Sequence, residues 1–553
     1  MTDDFTPGDD ELLFLPLGGA GEIGMNLNLY GHAGCWIMVD LGISFADDDL
    51  PGIDVIMPDP NFIEERRKDL LGIVLTHGHE DHLGAVQYLW PRLRCPVYAT
   101  RFSAMLLRRK LADVGLEQTV PIHEVALGGK LTLGPFDIEF ITTTHSILEP
   151  NALAIRTRLG TVLHTGDFKI DPEPLIGATT DIAKLRRLGD EGVLAMVCDS
   201  TNVFRPGESG SEGALRNSLD ALIGGRHGRV VVTTFASNAA RVATITRIAA
   251  DHGRQVALVG RSLHRVTEAA RAAGYLEDLP PLIDERTAAG LPRNRVLLIV
   301  GGCQGEPRSA LARIAAQTHP AIRLDAGDVV MFSSKIIPGN DKAIYQVHNL
   351  LAARGIEVVT EQDHFVHVSG HPSRDELARM YQWVRPRIAV PVHGERRHLA
   401  EHVAFARELQ IPEAIELHNG AMLRLAPTPP DIVGHVRSGR LALDGQDLLP
   451  VDSEVLRARR RMTHEGLLMV VAVVDRKGRL LADPRVSAEG VFADSARACR
   501  AIAKEVGEEI EKLPHRTLIE DEDLREAVRL RARAAMRRIV DKRPRINVEL
   551  LRV

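Results

Sequence analysis

The chain has few cysteines for its length, and they are scattered. Its 553 residues contain five, at positions 35, 95, 198, 303 and 499, and no two are spaced as CxxC. An odd, scattered set provides neither a disulfide framework nor a thiolate zinc site. Each cysteine is therefore expected to be a small buried apolar residue.

Long apolar segments are also missing. The longest apolar run, Leu467–Val474, is far shorter than the roughly 20 residues that span a bilayer, and it is predicted to be a buried strand. The first residues, Met1-Thr2-Asp3-Asp4, are acidic and lack the basic start of a signal peptide. No membrane partner is expected, and the predicted location is the cytoplasm.

An excess of positive charge is absent as well. The formal net charge is −6 at pH 7, which is unfavourable for binding the phosphates of a nucleic acid. Whole-chain charge does not exclude such binding, because metal ions add positive charge locally. Basic clusters also occur at 108–110 and 525–545, although most clusters of this kind are solvated helix faces.

What the sequence does contain is a dense set of metal-binding side chains. The run from Thr76 to His82 places His77, His79, Asp81 and His82 within six residues. Imidazoles and carboxylates are ligands that Zn²⁺ takes. A tight turn points these side chains in different directions, so they cannot all bind one ion. Two ions side by side, completed by distant ligands, are predicted.

Three distant candidates each follow a predicted strand. His145 ends the segment 140–145, Asp167 ends 162–167 and His393 ends 390–393, just as the HxHxDH run follows the strand 73–76. Strand ends meet at one edge of an α/β sheet, where sites are commonly built. One histidine alone would be a polar loop residue, but seven suitable residues at four strand ends indicate a dinuclear site.

Further motifs identify a family resemblance. Asp199-Ser200-Thr201, the HVSGH run His367–His371 and His393-Gly394-Glu395 accompany the HxHxDH motif. Together they resemble the β-CASP branch of the metallo-β-lactamase superfamily and, within it, the ribonuclease J family. The HxHxDH motif is shared by many hydrolases, whereas the combination is specific. The resemblance runs from about residue 11 to the C-terminus, with supporting blocks at 17–24, 235–238 and 333–340.

The resemblance implies an α/β fold of several domains. A metallo-β-lactamase αββα sandwich is expected over 1–212 and 361–428, interrupted by a parallel-sheet β-CASP domain at 213–360. The position of His393 also indicates that the sandwich is interrupted. The chain must return to the sandwich after the insert to bring His393 to the other candidate ligands. A Pro- and Gly-rich linker at 429–450 and a small C-terminal α/β domain at 451–553 are expected.

Roles for the ligands follow from the resemblance. It implies that His77, His79 and His145 hold one zinc ion, that Asp81, His82 and His393 hold a second, and that Asp167 bridges them. Such a pair activates a bridging water for phosphodiester hydrolysis, which also gives Asp81 a catalytic role. The same ligands accommodate Mn²⁺ or Mg²⁺.

Other residues are expected around the ligands. Asp40, which ends the strand 35–39, and Asp199 are expected to orient ligand imidazoles from behind. For Asp40 the alternative is a polar strand-end cap. His367 is expected to protonate the leaving 3′-oxygen. The turn His367-Val368-Ser369-Gly370-His371 is expected to bind substrate phosphates, including a 5′-monophosphate end.

One glycine motif is set aside. Residues 19–24 match GxGxxG, but a dinucleotide fingerprint needs a helix to follow. The alternation over Met25–Tyr30 predicts a strand instead, so a tight turn between strands is expected.

The implied function is a metal-dependent ribonuclease acting on single-stranded RNA. The resemblance implies 5′-to-3′ exonuclease activity, preferring 5′-monophosphate ends, and endonuclease activity in rRNA processing and mRNA decay. It also implies a homodimer or homotetramer and is compatible with an RNA-degradation complex.

Three alternatives stand against this function. The HxSGH form and the C-terminal domain argue against a β-CASP DNA-processing nuclease. The size of the insert argues against a small-molecule hydrolase of the superfamily. The complete ligand set argues against a non-catalytic RNA-binding protein.

Overall fold

The computed structural model describes residues 5–47 and 49–553. The acidic residues 1–4, which carry the prediction of no signal peptide, lie outside the described residues. The chain forms two compact units. The first comprises the chain up to Ser44 together with Met57–Gly439, and the second comprises Phe45–Ile56 with Arg440–Val553. Among the described residues, no helix has both the length and the apolar character needed to cross a bilayer.

Two mixed sheets form the base of the first unit. The eight strands of one sheet are, in spatial order, Asp431–His435, Ala421–Ala426, Leu12–Gly18, Leu27–His32, Cys35–Val39, Leu70–Val74, Val97–Ala99 and Ile122–Glu124. The seven strands of the other are Lys130–Leu133, Phe136–Thr142, Asn151–Thr157, Gly160–His164, Ala195–Asp199, Ile388–Val392 and Glu413–Ala414.

The two sheets pack face to face over one apolar core. Phe14 and Ile37 from the first sheet meet Phe140, Leu153 and Val162 from the second. Helices cover the outer faces, and Leu185, Met380 and Phe405 pack on the second sheet. The helices of this layer are Asn61–Glu64, Glu80–Leu83, Val86–Leu93, Arg101–Asp113, Ile182–Glu191, Arg374–Val384 and Arg396–Glu408. This is the αββα sandwich expected from the sequence.

A third sheet lies in the segment between the strands Ala195–Asp199 and Ile388–Val392. All its pairings are parallel, in the order Leu282–Ile283, Gln255–Val259, Val296–Val300, Val230–Thr233, Val329–Phe332 and Glu357–Val359. The parallel-sheet insert is therefore confirmed. Its helices are Glu212–Gly224, Ala239–Asp251, Arg261–Ala272, Glu285–Gly290, Ala310–Ala315 and Asp341–Ala352, with a 3₁₀ turn at Arg293–Arg295.

The N-cap of the helix Ala239–Asp251 differs from the sequence prediction. A serine before an apolar helical segment predicts Ser237 as the cap. The cap is instead Asn238, whose side chain accepts a hydrogen bond from the Arg241 amide at 2.9 Å. Both residue types cap helices well, so the sequence does not distinguish them. The shift by one residue leaves the Ser237 hydroxyl available for another contact.

The glycine block at 19–24 forms a turn, as expected. Ala20–Gly21 is a short strand that pairs in parallel with Gly394–Glu395, and Leu27–His32 is the strand that follows. No helix follows the block, so the GxGxxG match is not a dinucleotide site.

The segment expected to be a linker, 429–450, is largely extended strand. It contains Asp431–His435, Arg440–Asp444 and Asp447–Pro450. The last two belong to a four-stranded sheet with Val55–Pro58 and Ser44–Phe45. Prolines and glycines there occupy turns and strand ends, which is why composition alone indicated a linker.

The second unit contains a three-stranded sheet, ordered Arg485–Glu489, Leu467–Val474 and Arg545–Arg552. Leu467–Val474 buries alternate residues only, so one face of this strand, not both, lies in the core. The sequence around 479–481 predicts a second strand there, but Arg479 closes a turn with Asp475 and the strand begins at Arg485. The helices of this unit are Glu454–Glu465, Ser495–Ile510, His515–Ile519 and Asp521–Arg537.

Candidate metal centre

The HxHxDH loop leaves the strand Leu70–Val74 and turns into the short helix Glu80–Leu83. The loop packs closely on a neighbouring turn, because a Cβ atom on Gly42 would lie 1.7 Å from the carbonyl oxygen of Asp81. Only glycine fits there. The close approach fixes the backbone that carries Asp81 and His82.

Three imidazole nitrogens of the first group converge. His77 Nε2 lies 3.2 Å from His79 Nδ1, and His145 Nε2 lies 3.0 Å from the same atom. Asp167 Oδ2 is 3.9 Å from His77 Nε2 and 3.8 Å from His145 Nε2. Tetrahedral zinc with bonds of about 2.0–2.1 Å holds its ligand nitrogens about 3.3 Å apart. The observed spacing therefore fits a zinc-sized ion.

A second group shares Asp167 with the first. His82 Nε2 lies 3.2 Å from Asp167 Oδ2 and 3.7 Å from Asp81 Oδ2, and His393 Nε2 lies 3.7 Å from the latter atom. In each group the ligand atoms lie within 4.8 Å of one another. All seven residues predicted as ligands thus lie in one of two adjacent groups, and Asp167 belongs to both.

His393 reaches the site on a strained backbone. Its φ is +53°, in the left-handed region that is unfavourable for a non-glycine residue. Its amide donates a 2.6 Å hydrogen bond to the carbonyl of Gly19. The glycine turn at 19–24 therefore serves to position a candidate ligand that is more than 370 residues away in sequence.

Each of the five imidazoles has a polar partner at its other ring nitrogen. These partners are Thr76 for His77 at 3.0 Å, Ser237 for His79 at 3.1 Å, Asp40 for His82 at 2.7 Å, the Gly370 carbonyl for His145 at 2.5 Å and the Asn26 side chain for His393 at 2.9 Å. Partners that can only accept, the Asp40 carboxylate and the Gly370 carbonyl, fix the proton on the contacted nitrogen and leave the other free for a metal ion.

The Asp40 carboxylate organises two of these imidazoles. It accepts hydrogen bonds from His82 Nδ1 and from the Thr76 hydroxyl, the latter at 2.8 Å. Because the hydroxyl donates to Asp40, it accepts from Nδ1 of His77. In their neutral forms both histidines then carry the lone pair on Nε2. The sequence predicted Asp40 but not Thr76, Asn26 or Ser237, although Thr76 directly precedes His77 and Ser237 lies within the family block 235–238.

Electrostatics favour neutral imidazoles in the first group. Burial lowers the pKa of His79 to about 4 and lowers the pKa values of His77 and His145 well below their usual range. The neutral form is the form that binds metal ions. In the second group burial also disfavours a charged His82, but Asp167 and Asp81 outweigh it and raise the pKa of His82.

His371 lies at the edge of the two groups. Its Nδ1 lies 2.8 Å from Asp199 Oδ2 and 3.8 Å from Asp167 Oδ2, and its side chain is 23% exposed. Burial disfavours the charged imidazole, but Asp199 and Asp167 outweigh it and raise the pKa of His371 to about 9. Asp199, which was expected to orient a ligand imidazole, contacts the His371 ring.

His367, the predicted proton donor, lies in a different electrostatic environment from His371. Burial and the nearby Arg241 lower its pKa to about 3, so it is neutral near pH 7 and has no proton to give readily. Within the described residues, no hydrogen bond or ion pair joins it to a candidate ligand. His371, by contrast, contacts both Asp199 and the shared candidate ligand Asp167.

The predicted phosphate-binding turn is largely occupied by internal contacts. Ser369 Oγ accepts hydrogen bonds from Asn202 and from the His371 amide, at 2.8 and 3.2 Å. The Ser369 amide donates to Ser209, and Val368 lies in the core of the insert. Within Ser369-Gly370-His371 as described, the Gly370 amide and the exposed side of the His371 ring remain for a phosphate.

Four family models match consecutive parts of the chain. They are the metallo-β-lactamase superfamily over 24–233, the ribonuclease J β-CASP domain over 227–351, the Zn-dependent metallo-hydrolase RNA specificity domain over 355–413 and the ribonuclease J C-terminal domain over 454–553.

Known relatives match over nearly the whole chain. Ribonuclease J of Sinorhizobium meliloti is 43% identical and covers 99% of this chain and 98% of its own. Those of Mycolicibacterium smegmatis and Thermus thermophilus are 39% and 37% identical and cover 93% and 84% of this chain and 92% and 82% of their own.

A solved structure has the same fold. A protein of unknown function from Enterococcus faecalis V583 has a TM-score of 0.53 and 18% identity, covering 75% of this chain and all of its own. With the domain models and the relatives in agreement, the chain belongs to the ribonuclease J family of metal-dependent ribonucleases.

Proposed function

We propose that this protein hydrolyses single-stranded RNA at a two-metal centre, as a 5′-to-3′ exonuclease and an endonuclease. The observation that carries the proposal is the pair of ligand groups sharing Asp167, with His371 and Asp199 beside them. Membership of the family supports RNA as the substrate. The proposal includes both exonuclease and endonuclease activity, a role in rRNA maturation and mRNA decay, and a cytoplasmic location.

The ligand groups would hold two Zn²⁺ ions, with His77, His79 and His145 around one and Asp81, His82 and His393 around the other. The donor spacing in the first group supports zinc, and the carboxylates of Asp81 and Asp167 also suit Mn²⁺ or Mg²⁺. Two bound divalent ions supply an activated water and stabilise charge on the scissile phosphate.

The chain's own residues would then do three things. The network of Asp40, Thr76 and Asn26 holds the ligand imidazoles in one tautomer. The partly exposed Asp81 presents its carboxylate at the solvent side of the centre. His371, kept protonated by Asp199, donates its proton to the leaving 3′-oxygen, a transfer that general-acid groups accelerate by about 10²–10⁴.

A phosphate at the 5′ end would bind beside the HVSGH turn. Lys335 Nζ lies 3.5 Å from Asn202 Oδ1, and the Asn202 amide group donates to both Ser369 Oγ and the His371 carbonyl. Burial and the neighbouring Arg205 lower the pKa of Lys335, so an anion placed there relieves repulsion between two cations. This arrangement supports a preference for 5′-monophosphate ends.

Matched RNAs that differ only at the 5′ end test the proposal. Cleavage of 5′-monophosphate, 5′-triphosphate and circular forms should all require metal. The exonuclease rate should be highest for the monophosphate. The proposal would be contradicted if duplex DNA were cleaved as fast as RNA. It would also be contradicted if RNA were not cleaved at all after metal is restored.

The second unit supports self-association as part of this proposal. The face of its sheet opposite the core carries Leu467, Met469, Val471 and Val473, and Leu551 beside them is 51% exposed. Such an apolar stripe suits a second copy of the chain, in a homodimer or homotetramer. Val471→Asp should lower the mass measured by light scattering, whereas an unchanged mass would contradict this interface. Participation in an RNA-degradation complex is an extension of the same proposal.

A further inference from the structure

The second unit contains a hollow of about 340 Å³ whose rim is rich in arginine. Arg461 lies on the helix Glu454–Glu465, Arg533 and Arg537 lie on the helix Asp521–Arg537, and Arg543 precedes the strand Arg545–Arg552. Three elements of one compact unit thus bring four guanidinium groups to one depression.

The positions of these arginines follow from helix periodicity. Arg533 and Arg537 are one turn apart and share a face of their helix. Met536, which is fully buried, anchors that helix in the core, and Pro544, also buried, holds the chain that carries Arg543. The guanidinium groups therefore stand on a rigid base.

The arginines at the hollow differ from their neighbours in lacking ion-pair partners. Arg531 and Arg538 on the same helix both contact Glu505, and Arg529 contacts Glu526. By contrast, no carboxylate of the part of the chain that the structure describes lies within ion-pair distance of Arg461, Arg533, Arg537 or Arg543. The like charges at the hollow repel one another unless an anion joins them.

One acidic residue, Glu465, also lines the hollow. Its Oε2 accepts a hydrogen bond from the backbone amide of Arg543 at 2.8 Å. The carboxylate thus holds the backbone of the Arg543 turn, and no guanidinium group among residues 5–47 and 49–553 lies within ion-pair distance of it. Its negative charge opposes an incoming anion, but the four arginines outnumber it, and the net charge of the residues lining the hollow remains positive.

We infer that this arginine hollow binds backbone phosphates of the RNA strand, as an anchor separate from the metal centre. The inference rests on the proposed RNA substrate. Guanidinium forks match phosphate oxygens in pairs. Among the residues that line the hollow none is aromatic, so bases have no aromatic ring to stack on there, and we expect recognition to be independent of sequence. An overall negative chain thereby gains a local site for a polyanion.

Binding of a non-cleavable single-stranded phosphorothioate RNA to the metal-loaded protein tests the inference. The double variant Arg533→Gln, Arg537→Gln should bind a long strand about tenfold more weakly at moderate salt, and the slope of log K against log salt should become shallower by about 1.4, which is 0.7 for each of two lost phosphate contacts. Arg529→Gln, which changes a paired arginine on the same helix, is the matched control and should change neither quantity.

Glu465→Gln gives a second, opposite readout. The amide oxygen still accepts the hydrogen bond from Arg543, while the negative charge is removed. We therefore expect tighter RNA binding with an unchanged melting temperature, which loss of folding cannot imitate. Unchanged affinity and salt slope in both the double variant and Glu465→Gln would overturn the inference.

Two further measurements distinguish this inference from failure of the proposed function and from binding of an acidic protein at the hollow. A dinucleotide without a terminal phosphate should be cleaved equally by the double variant and the unaltered protein, because its one phosphate is the one that is cleaved. If neither protein cleaves RNA, the proposed function fails. If both cleave the dinucleotide equally and also bind the long strand equally, only the inference about the arginine hollow is refuted. Poly-glutamate that binds the hollow while RNA affinity is unaffected by the variants would indicate an acidic protein partner and also refute it.

Discussion

Ser237 Oγ lies 3.1 Å from Nε2 of His79, so a residue of the inserted domain contacts a candidate metal ligand of the sandwich. The contact is available because Asn238, one residue later, caps the following helix. With Nε2 of His79 engaged, Nδ1 faces His77 and His145. The insert therefore contributes to the orientation of a ligand.

We predict that Ser237→Ala weakens metal binding by about 10–100-fold, the usual effect of removing a group that orients a metal-binding histidine. Competition with a chromogenic chelator measures it. Ser237→Thr keeps the hydroxyl and should retain most of the affinity. Equal affinities for all three proteins would show that the contact does not orient His79.

The two ligand groups make separable predictions about metal content. Asp81→Ala or His82→Ala should lose one ion, His79→Ala should lose the other, and Asp167→Ala should lose both, because Asp167 belongs to each group. Elemental analysis of purified variants counts the ions. Nearly all cleavage should disappear in every case. Unchanged metal content in Asp81→Ala and His82→Ala would refute the assignment.

The two histidines of the HVSGH turn should behave differently. His371→Gln should reduce the rate of cleavage about 10²–10⁴-fold on linear and circular RNA alike, because both modes need a proton at the leaving oxygen. His367→Gln should leave most of the rate, since burial and Arg241 already keep His367 neutral. Single-turnover rates at saturating metal decide between them. A larger loss in His367→Gln would restore the role predicted from the sequence.

Asp199 should set the alkaline limit of activity. Burial disfavours a charged His371, but Asp199 and Asp167 raise its pKa, so the proton is retained at neutral pH and lost as pH rises through the raised value. Removing one of the two carboxylates lowers that pKa. Asp199→Asn should therefore move the alkaline limb of the pH–rate profile to lower pH. An unmoved limb combined with a lower rate would mean that Asp199 acts only on structure.

The sequence predicted the parts of the site that local patterns encode. Strand periodicity and the positions of His145, Asp167 and His393 after apolar segments were enough to place the ligands at sheet edges. Contacts between distant segments were not predictable in this way: Ser237 and His79 meet only once the insert is folded. His367 and His371 look alike in sequence. Their charges differ because burial and Arg241 lower the pKa of His367, whereas Asp199 and Asp167 outweigh burial at His371 and raise its pKa.

The last prediction concerns a buried ion pair. Arg241, fully buried, donates two hydrogen bonds to Glu212, from Nε to Oε2 at 2.9 Å and from Nη2 to Oε1 at 2.7 Å. Glu212→Gln leaves the guanidinium charge without a partner at nearly the same volume, and breaking a buried pair costs about 3–5 kcal/mol. Glu208→Gln, at the exposed pair with Arg379, is the control and should cost at most about 1 kcal/mol.

The pH dependence of this stabilisation has a definite sign. Burial disfavours the charged carboxylate of Glu212, but Arg241 outweighs it and holds the pKa of Glu212 below its usual value of 4.5. The stabilisation is therefore present above that usual value and is lost as pH falls through the lower pKa of the folded state. Urea midpoints of the unaltered protein and Glu212→Gln should differ at neutral pH and converge in acid. A gap that stays constant down to strongly acidic pH would mean that the charge on Glu212 is not what stabilises the insert.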